Sequence, residues 1–180
     1  MDEVNRFIEA LSEVCHREPT AEKWLMAPSL RVGFQWLDAV CRAGQPVLNV
    51  RVKTFRHAAL ELAGPEMQRQ KLRFLAGARA EALIEHVFHA LRQEGLDYLS
   101  ALAPHTGLTQ ALLNAVRDVR GAGLRASDLA ADAFEVAAKG SELRRLVEAY
   151  ERALAERALT DYAGALRLAL DRVKGHPESL

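Results

Sequence analysis

The sequence predicts an α/β fold that is mostly α: a partial parallel sheet (βαβ) followed by an all-helical bundle subdomain. Three observations predict it. Two short apolar runs, Lys23-Trp24-Leu25-Met26-Ala27 and Val47-Leu48-Asn49-Val50-Arg51-Val52, flank one amphipathic helical pattern. That spacing, strand to strand in about thirty residues, suits a right-handed crossover. From Thr54 onward the apolar residues recur at helical period. Within the helical region lies Gly64-Pro65, a breaker that divides residues 1–64 from residues 65–180.

The elements follow in order. Val4, Phe7, Ile8, Leu11, Val14 and Cys15 form one helical stripe, so residues 2–16 read as an amphipathic helix stopped near Pro19. The first strand covers Lys23–Ala27 and ends at Pro28. Ser29 is placed to cap a helix that turns Leu30, Phe34, Leu37, Val40 and Cys41 inward and breaks at Gly44 and Pro46. The second strand covers residues 47–52, and the two strands should pair in parallel with helix 29–43 over one face. Such a pair is an incomplete sheet, with apolar surface where further strands would lie and a tendency to self-associate. Thr54 caps Phe55–Ala63, and a long helix is expected over roughly 66–94, ended by Gly95. Another helix carries Leu108, Leu112, Ala115, Val116 and Val119 and closes at Gly121-Ala122-Gly123. A short helix is expected from Ser127 to about Val136. Ser141 caps the helix of Leu143, Leu146, Val147, Tyr150 and Leu154, and Thr160 caps the last, with Asp161 facing its dipole.

Composition narrows the function classes. Among 180 residues, Lys+Arg and Asp+Glu both number 24, so no global field steers a polyanion and any nucleic-acid contact must use a local patch. Cys15 and Cys41 are unclustered, which suggests a reducing compartment rather than a disulfide scaffold. The acidic start Met1-Asp2-Glu3 is unlike a signal peptide, and no apolar run is long enough to span a bilayer. A cytoplasmic soluble protein is expected, with no membrane partner.

Chemistry-bearing patterns are sparse. His86 and His89 stand three apart on a helix, but a metal site needs three or four ligands and no second cluster is evident. Both cysteines sit on apolar stripes and read as small core residues. Asp161, at a helix start, reads as a cap rather than a catalytic acid. Lys139-Gly140-Ser141 has no preceding strand and is not a phosphate loop. The Gly107–Gly123 region invites a helix-turn-helix reading, which the following acidic segment (Asp128, Asp132, Glu135) opposes. No phosphate loop, Walker B acidic pair or Asp…Glu-x-Lys nuclease core is present. No catalytic residue, metal or cofactor is therefore assigned, and neither ATP hydrolysis nor nuclease activity is expected.

Several segments carry a resemblance. Tyr150 leads through its helix to Thr160-Asp161-Tyr162-Ala163-Gly164-Ala165-Leu166. This is similar to the Tyr helix and Leu-Asp-Phe-x-x-Leu-Leu segment that ends the helical insertion of UvrD-like superfamily 1 helicases. Thr54-Phe55-Arg56-His57 after the second strand resembles the Thr-Phe-His motif of the same helicases. Leu25-Met26-Ala27-Pro28-Ser29-Leu30-Arg31 occupies the place of the preceding motif, with wording closer to AddB-like helicase-nucleases. Gly107-Leu108-Thr109-Gln110-Ala111-Leu112 with Val119-Arg120-Gly121-Ala122-Gly123 resembles a pattern in the helical subdomain of those proteins. The spelling departs from the family at Arg56, Tyr162 and Gly164.

The resemblance covers most of residues 22–175 and is closest to the N-terminal, inactivated helicase-like region of AddB-like PD-(D/E)XK helicase-nucleases, which repair DNA double-strand breaks. It implies a fragment or short relative of such a protein, contributing DNA binding and scaffold within an ATP-dependent parent enzyme of recombination. It implies weak contact with single-stranded DNA through Ser29, Arg31, Lys53, Thr54, Phe55 and Arg56, with Arg51 adding charge. The remainder of a helicase-nuclease, or a partner helicase subunit, is the implied protein partner. Physically, a strand end delivers a helix N-terminus whose free N–H groups suit a phosphate, and Phe55 offers a ring for a base. The same residues also fit ordinary caps and a core phenylalanine, which for Thr54-Phe55 taken alone is the commoner arrangement. The alternative function is a helical protein–protein interaction module without nucleic-acid binding.

Overall fold

The computed structural model describes residues 3–101 and 106–175. The chain divides into two compact units, residues 1–61 and 62–180. None of the described helices is long and apolar enough to cross a membrane. The fold is mostly helical with small parallel sheets, as the sequence predicts.

In residues 1–61, α1 (Glu3–Arg17) packs on α2 (Leu30–Arg42), with Phe7 and Trp36 ring centroids 4.6 Å apart. Strands β1 (Lys23–Met26) and β2 (Val50–Lys53) pair in parallel, Lys23 opposite Val50 and Met26 opposite Lys53. The crossover helix α2 packs on β2 at a small contact. A Cβ at Gly33 would fall 2.1 Å from Val52 Cγ1, so only glycine lets helix and strand approach this closely. The second strand starts three residues later than its apolar run. Asn49 takes φ 52°, and its side-chain amide donates to Thr20 O at 2.7 Å, so the turn extends to the edge of Val50.

The boundary between units falls within α3 (Phe55–Arg69), which overrides the expected stop at Gly64-Pro65. Pro65 removes one helical donor. Strong helix formers on both sides, and the Glu66–Arg69 pair, carry the helix past it. It ends instead in a Schellman motif: Leu72 N donates to Met67 O and Lys71 N to Gln68 O, with Lys71 at φ 56°. The ends of α2 and of α5 (Thr106–Gly121) use the same motif, with Gly44 and Gly123 in the left-handed position.

The long helix expected over 66–94 is therefore two helices around a strand. Arg73–Phe74 forms β3, and α4 spans Ala78–Glu94. β3 pairs in parallel with β4 (Leu159–Thr160): Arg73 N donates to Ala158 O at 2.9 Å and Leu75 N to Thr160 O at 2.8 Å. Leu72 and Arg73 are good helix formers, so local preference pointed the wrong way and a distant partner decided. Helices α4, α5 and α6 (Ala137–Glu156) enclose the core of residues 62–180, where Ile84, Leu113, Val116, Leu146, Val147 and Tyr150 are almost fully buried. The short helix expected from Ser127 is two 3-10 turns, 126–128 and 131–133. The last helix, α7 (Tyr162–Gly175), begins after Asp161, and Thr160 lies in β4 rather than at the cap.

Candidate nucleic-acid interface

Parallel pairing in register brings the C-terminal ends of β1 and β2 side by side, and Ala27 N donates to Lys53 O across them at 2.8 Å. Each strand runs directly into a helix. Ser29 caps α2, its hydroxyl accepting from Val32 N at 3.2 Å. Thr54 Oγ1 accepts from His57 N at 3.3 Å and so caps α3, while His57 Nδ1 lies 3.1 Å from the same oxygen. Two capped helix N-termini thus share one edge of the small sheet.

The six sequence-assigned residues fare differently there. Phe55 is 76% exposed, so it is not a core phenylalanine. Arg31 and Arg56 are exposed on the first turns of α2 and α3. Lys53 is buried. Its ammonium pairs with Glu61 and stands 4.3 Å from the Trp24 ring centroid. Burial favours that pairing, because an unpartnered ammonium out of water is costly. Arg51 pairs with Glu22 at 3.1 Å on the exposed surface. The structure therefore brings Ser29, Arg31, Thr54, Phe55 and Arg56 to one edge and turns the Lys53 charge inward.

The segment ending in Asp161 forms a different kind of centre. Arg120 on α5 donates from Nε to Asp161 Oδ2 at 2.8 Å and from Nη2 to Asp161 Oδ1 at 3.0 Å. Its remaining arm reaches Glu151 on α6. Arg120 and Asp161 are only 6% and 7% exposed. Asp161 Oδ1 also accepts from Gly164 N at 2.9 Å, capping α7. Burial alone would raise the Asp161 pKa. The Arg120 hydrogen bonds and charge outweigh it and hold the carboxyl below its usual range. The Tyr150 hydroxyl is pushed up to about 12, by burial first and by the Asp161 charge second. A bidentate, doubly paired guanidinium with a carboxylate that accepts three hydrogen bonds is a brace between helices, not an acid or base near neutral pH.

Sequence reasoning missed two polar centres. It gave Arg120 no role, because its partner is distant in the chain. Glu142 drew no notice at all. Its carboxylate lies in the second turn of α6 and accepts from the backbone N–H groups of Asp97, Tyr98 and Leu99 at 2.7, 2.9 and 2.7 Å. Burial opposes its charge, yet the three backbone donors lower its pKa on balance. Ser141, expected as a cap, lies within α6 and donates to Ala138 O at 2.9 Å. Gly140 is required by packing, since a Cβ there would fall 2.5 Å from Phe134 Cδ2. Among the described residues no three His, Cys, Asp or Glu side chains converge to hold a metal. Cys15 is buried as expected, whereas Cys41 is exposed. No protein-family model matches this chain, and no curated protein matches it.

Proposed function

We propose that this chain is a non-catalytic DNA-handling module, a scaffold piece of an AddB-like helicase-nuclease acting in double-strand-break repair. It would contact single-stranded DNA weakly through the edge formed by Ser29, Arg31, Thr54, Phe55 and Arg56. The observation that carries the reading is the exposed Phe55 ring at the end of β2, on a helix N-terminus and beside a second one. A solvent-facing aromatic next to two helix N-termini with no acidic residue in their first turns suits a base with its phosphate. With Lys53 turned inward and paired with Glu61, the positive charge in reach is smaller than the sequence-assigned residues imply. Neutralising about two phosphates gives a log–log salt slope of about −1 for single strands.

The test is fluorescence anisotropy with a labelled oligothymidine at low salt. Phe55→Ala should weaken binding by about 1–3 kcal/mol. Its melting temperature should stay unchanged, because the ring buries little surface. Arg31→Glu should weaken binding further and flatten the salt slope. Lys53→Glu is unsuitable, since it would set two carboxylates together in a buried place. Unchanged affinity in both folded variants would refute the DNA reading. A protein-docking module would then take its place, favoured by the 60% exposed Phe34 on α2.

A further inference from the structure

The geometry points to a binding site for a small di- or polyphosphate in residues 62–180, built from other residues than the edge above and independent of it. A cavity of about 430 Å³ opens beside the β3–β4 ladder and along one face of α4. Its size falls within the range of small-molecule pockets, about 300–1,000 Å³. Three arginines, Arg73, Arg79 and Arg157, and His86 line it, together with apolar residues that include Leu83. No carboxylate lines it.

Such a clustering of like charges is electrostatically unfavourable on its own account. In a folded chain it is ordinarily relieved by acidic neighbours. Here relief is partial. Arg157 Nη1 lies 3.6 Å from Glu156 and donates to Ala153 O at 3.4 Å. The Arg73 and Arg79 side chains have no hydrogen-bond or ion-pair partner among the described residues. By contrast Arg120, the buried arginine of the same unit, takes two carboxylates. The elements hold the charges in place. Arg73 is fixed by the β3–β4 ladder, Arg79 and His86 are two turns apart on one face of α4, and Arg157 closes α6. Arginines from three elements lining one cavity match an anion with several oxygens better than a single carboxylate. A pyrophosphate unit, free or carried by a nucleoside, has that charge density and fits the volume.

The experiment is isothermal titration of the full chain with inorganic pyrophosphate, ADP and adenosine at low salt. Pyrophosphate and ADP should bind one to one, and adenosine should not bind. Tighter binding of ADP than pyrophosphate would indicate a nucleotide, and equal affinity a ligand recognised by its phosphates alone. Arg73→Ala should weaken binding about tenfold, the loss of one charge-assisted pair. Arg79→Glu should weaken it more. That variant places a carboxylate in the first turn of α4, where the helix dipole favours it, and its melting temperature, measured alongside, separates lost binding from unfolding. Absence of saturable pyrophosphate and ADP binding in the millimolar range overturns the proposal. So does unchanged affinity in Arg79→Glu, or binding of an oligonucleotide alone at these arginines.

Discussion

Replacing Asp161 tests whether the Arg120 centre is a brace. The carboxylate takes two guanidinium bonds and one backbone N–H, all in a buried place. Breaking a buried ion pair from one side costs about 3–5 kcal/mol, because the remaining charge is stranded. Glu151 still compensates Arg120 in part, so the low end, about 3 kcal/mol, applies to Asp161→Asn. The asparagine oxygen can still accept from Gly164 N. Asp161→Ala loses that cap as well and should cost about 1 kcal/mol more. The alanine variant thus loses about 4 kcal/mol, a quarter or more of the stability of an ordinary domain. Urea unfolding followed by far-UV circular dichroism measures both variants.

Acid supplies a second reading of the same pair. The folded pKa of Asp161 is depressed, so its contribution is complete above the unfolded value, about 3.9, and is lost as pH falls through the folded one. The gap between wild type and Asp161→Asn should therefore be constant near neutrality and shrink below about pH 4. An Asp161→Asn variant within 1 kcal/mol of wild type, or a gap that persists undiminished in acid, would refute the reasoning.

Other perturbations follow from single contacts. Glu142→Ala strands three backbone donors and should cost about 3 kcal/mol, with faster amide exchange confined first to Asp97–Leu99. Gly33→Ala drives a methyl into Val52, a stiff β-branched side chain, and should cost about 1–3 kcal/mol; adding Val52→Ala should recover part of that in the same urea titration. Lys71→Gly relieves a left-handed lysine at the end of α3 and should raise stability by up to about 1 kcal/mol in thermal unfolding; a loss would show that the lysine side chain does more than tolerate the turn.

The first sixty residues were largely legible because their signals are local. Ser29 and Thr54 follow apolar strands and precede helical stripes, and both caps form. Local signals also misled. The hydrophobic run from Val47 suggested a strand start that Asn49 delays, and Gly64-Pro65 suggested a break that its neighbours overrule. β3 was invisible because two residues of strand carry no period, and their partner lies beyond α6. The Arg120–Asp161 and Glu142 centres escaped for the same reason. Nothing near Arg120 in the sequence distinguishes it from the exposed Arg117, since burial is decided by which face α5 turns inward. At the candidate interface, residue type pointed to Phe55 and Lys53 alike, and only the fold separates an outward ring from an inward ammonium.

The two-residue β3–β4 ladder has a kinetic consequence. Its strands are separated along the chain by all of α4, α5 and α6, so closing it early would confine that whole stretch for very few bonds. The helical core should assemble first and deliver Thr160 to a waiting β3, which makes the ladder a late event, with low φ-values at Phe74 and Leu159. Contacts made after the transition state set the unfolding rate. Weakening this small ladder should then speed unfolding and leave folding nearly unchanged, giving it control over how long the native state lasts rather than how quickly it is reached.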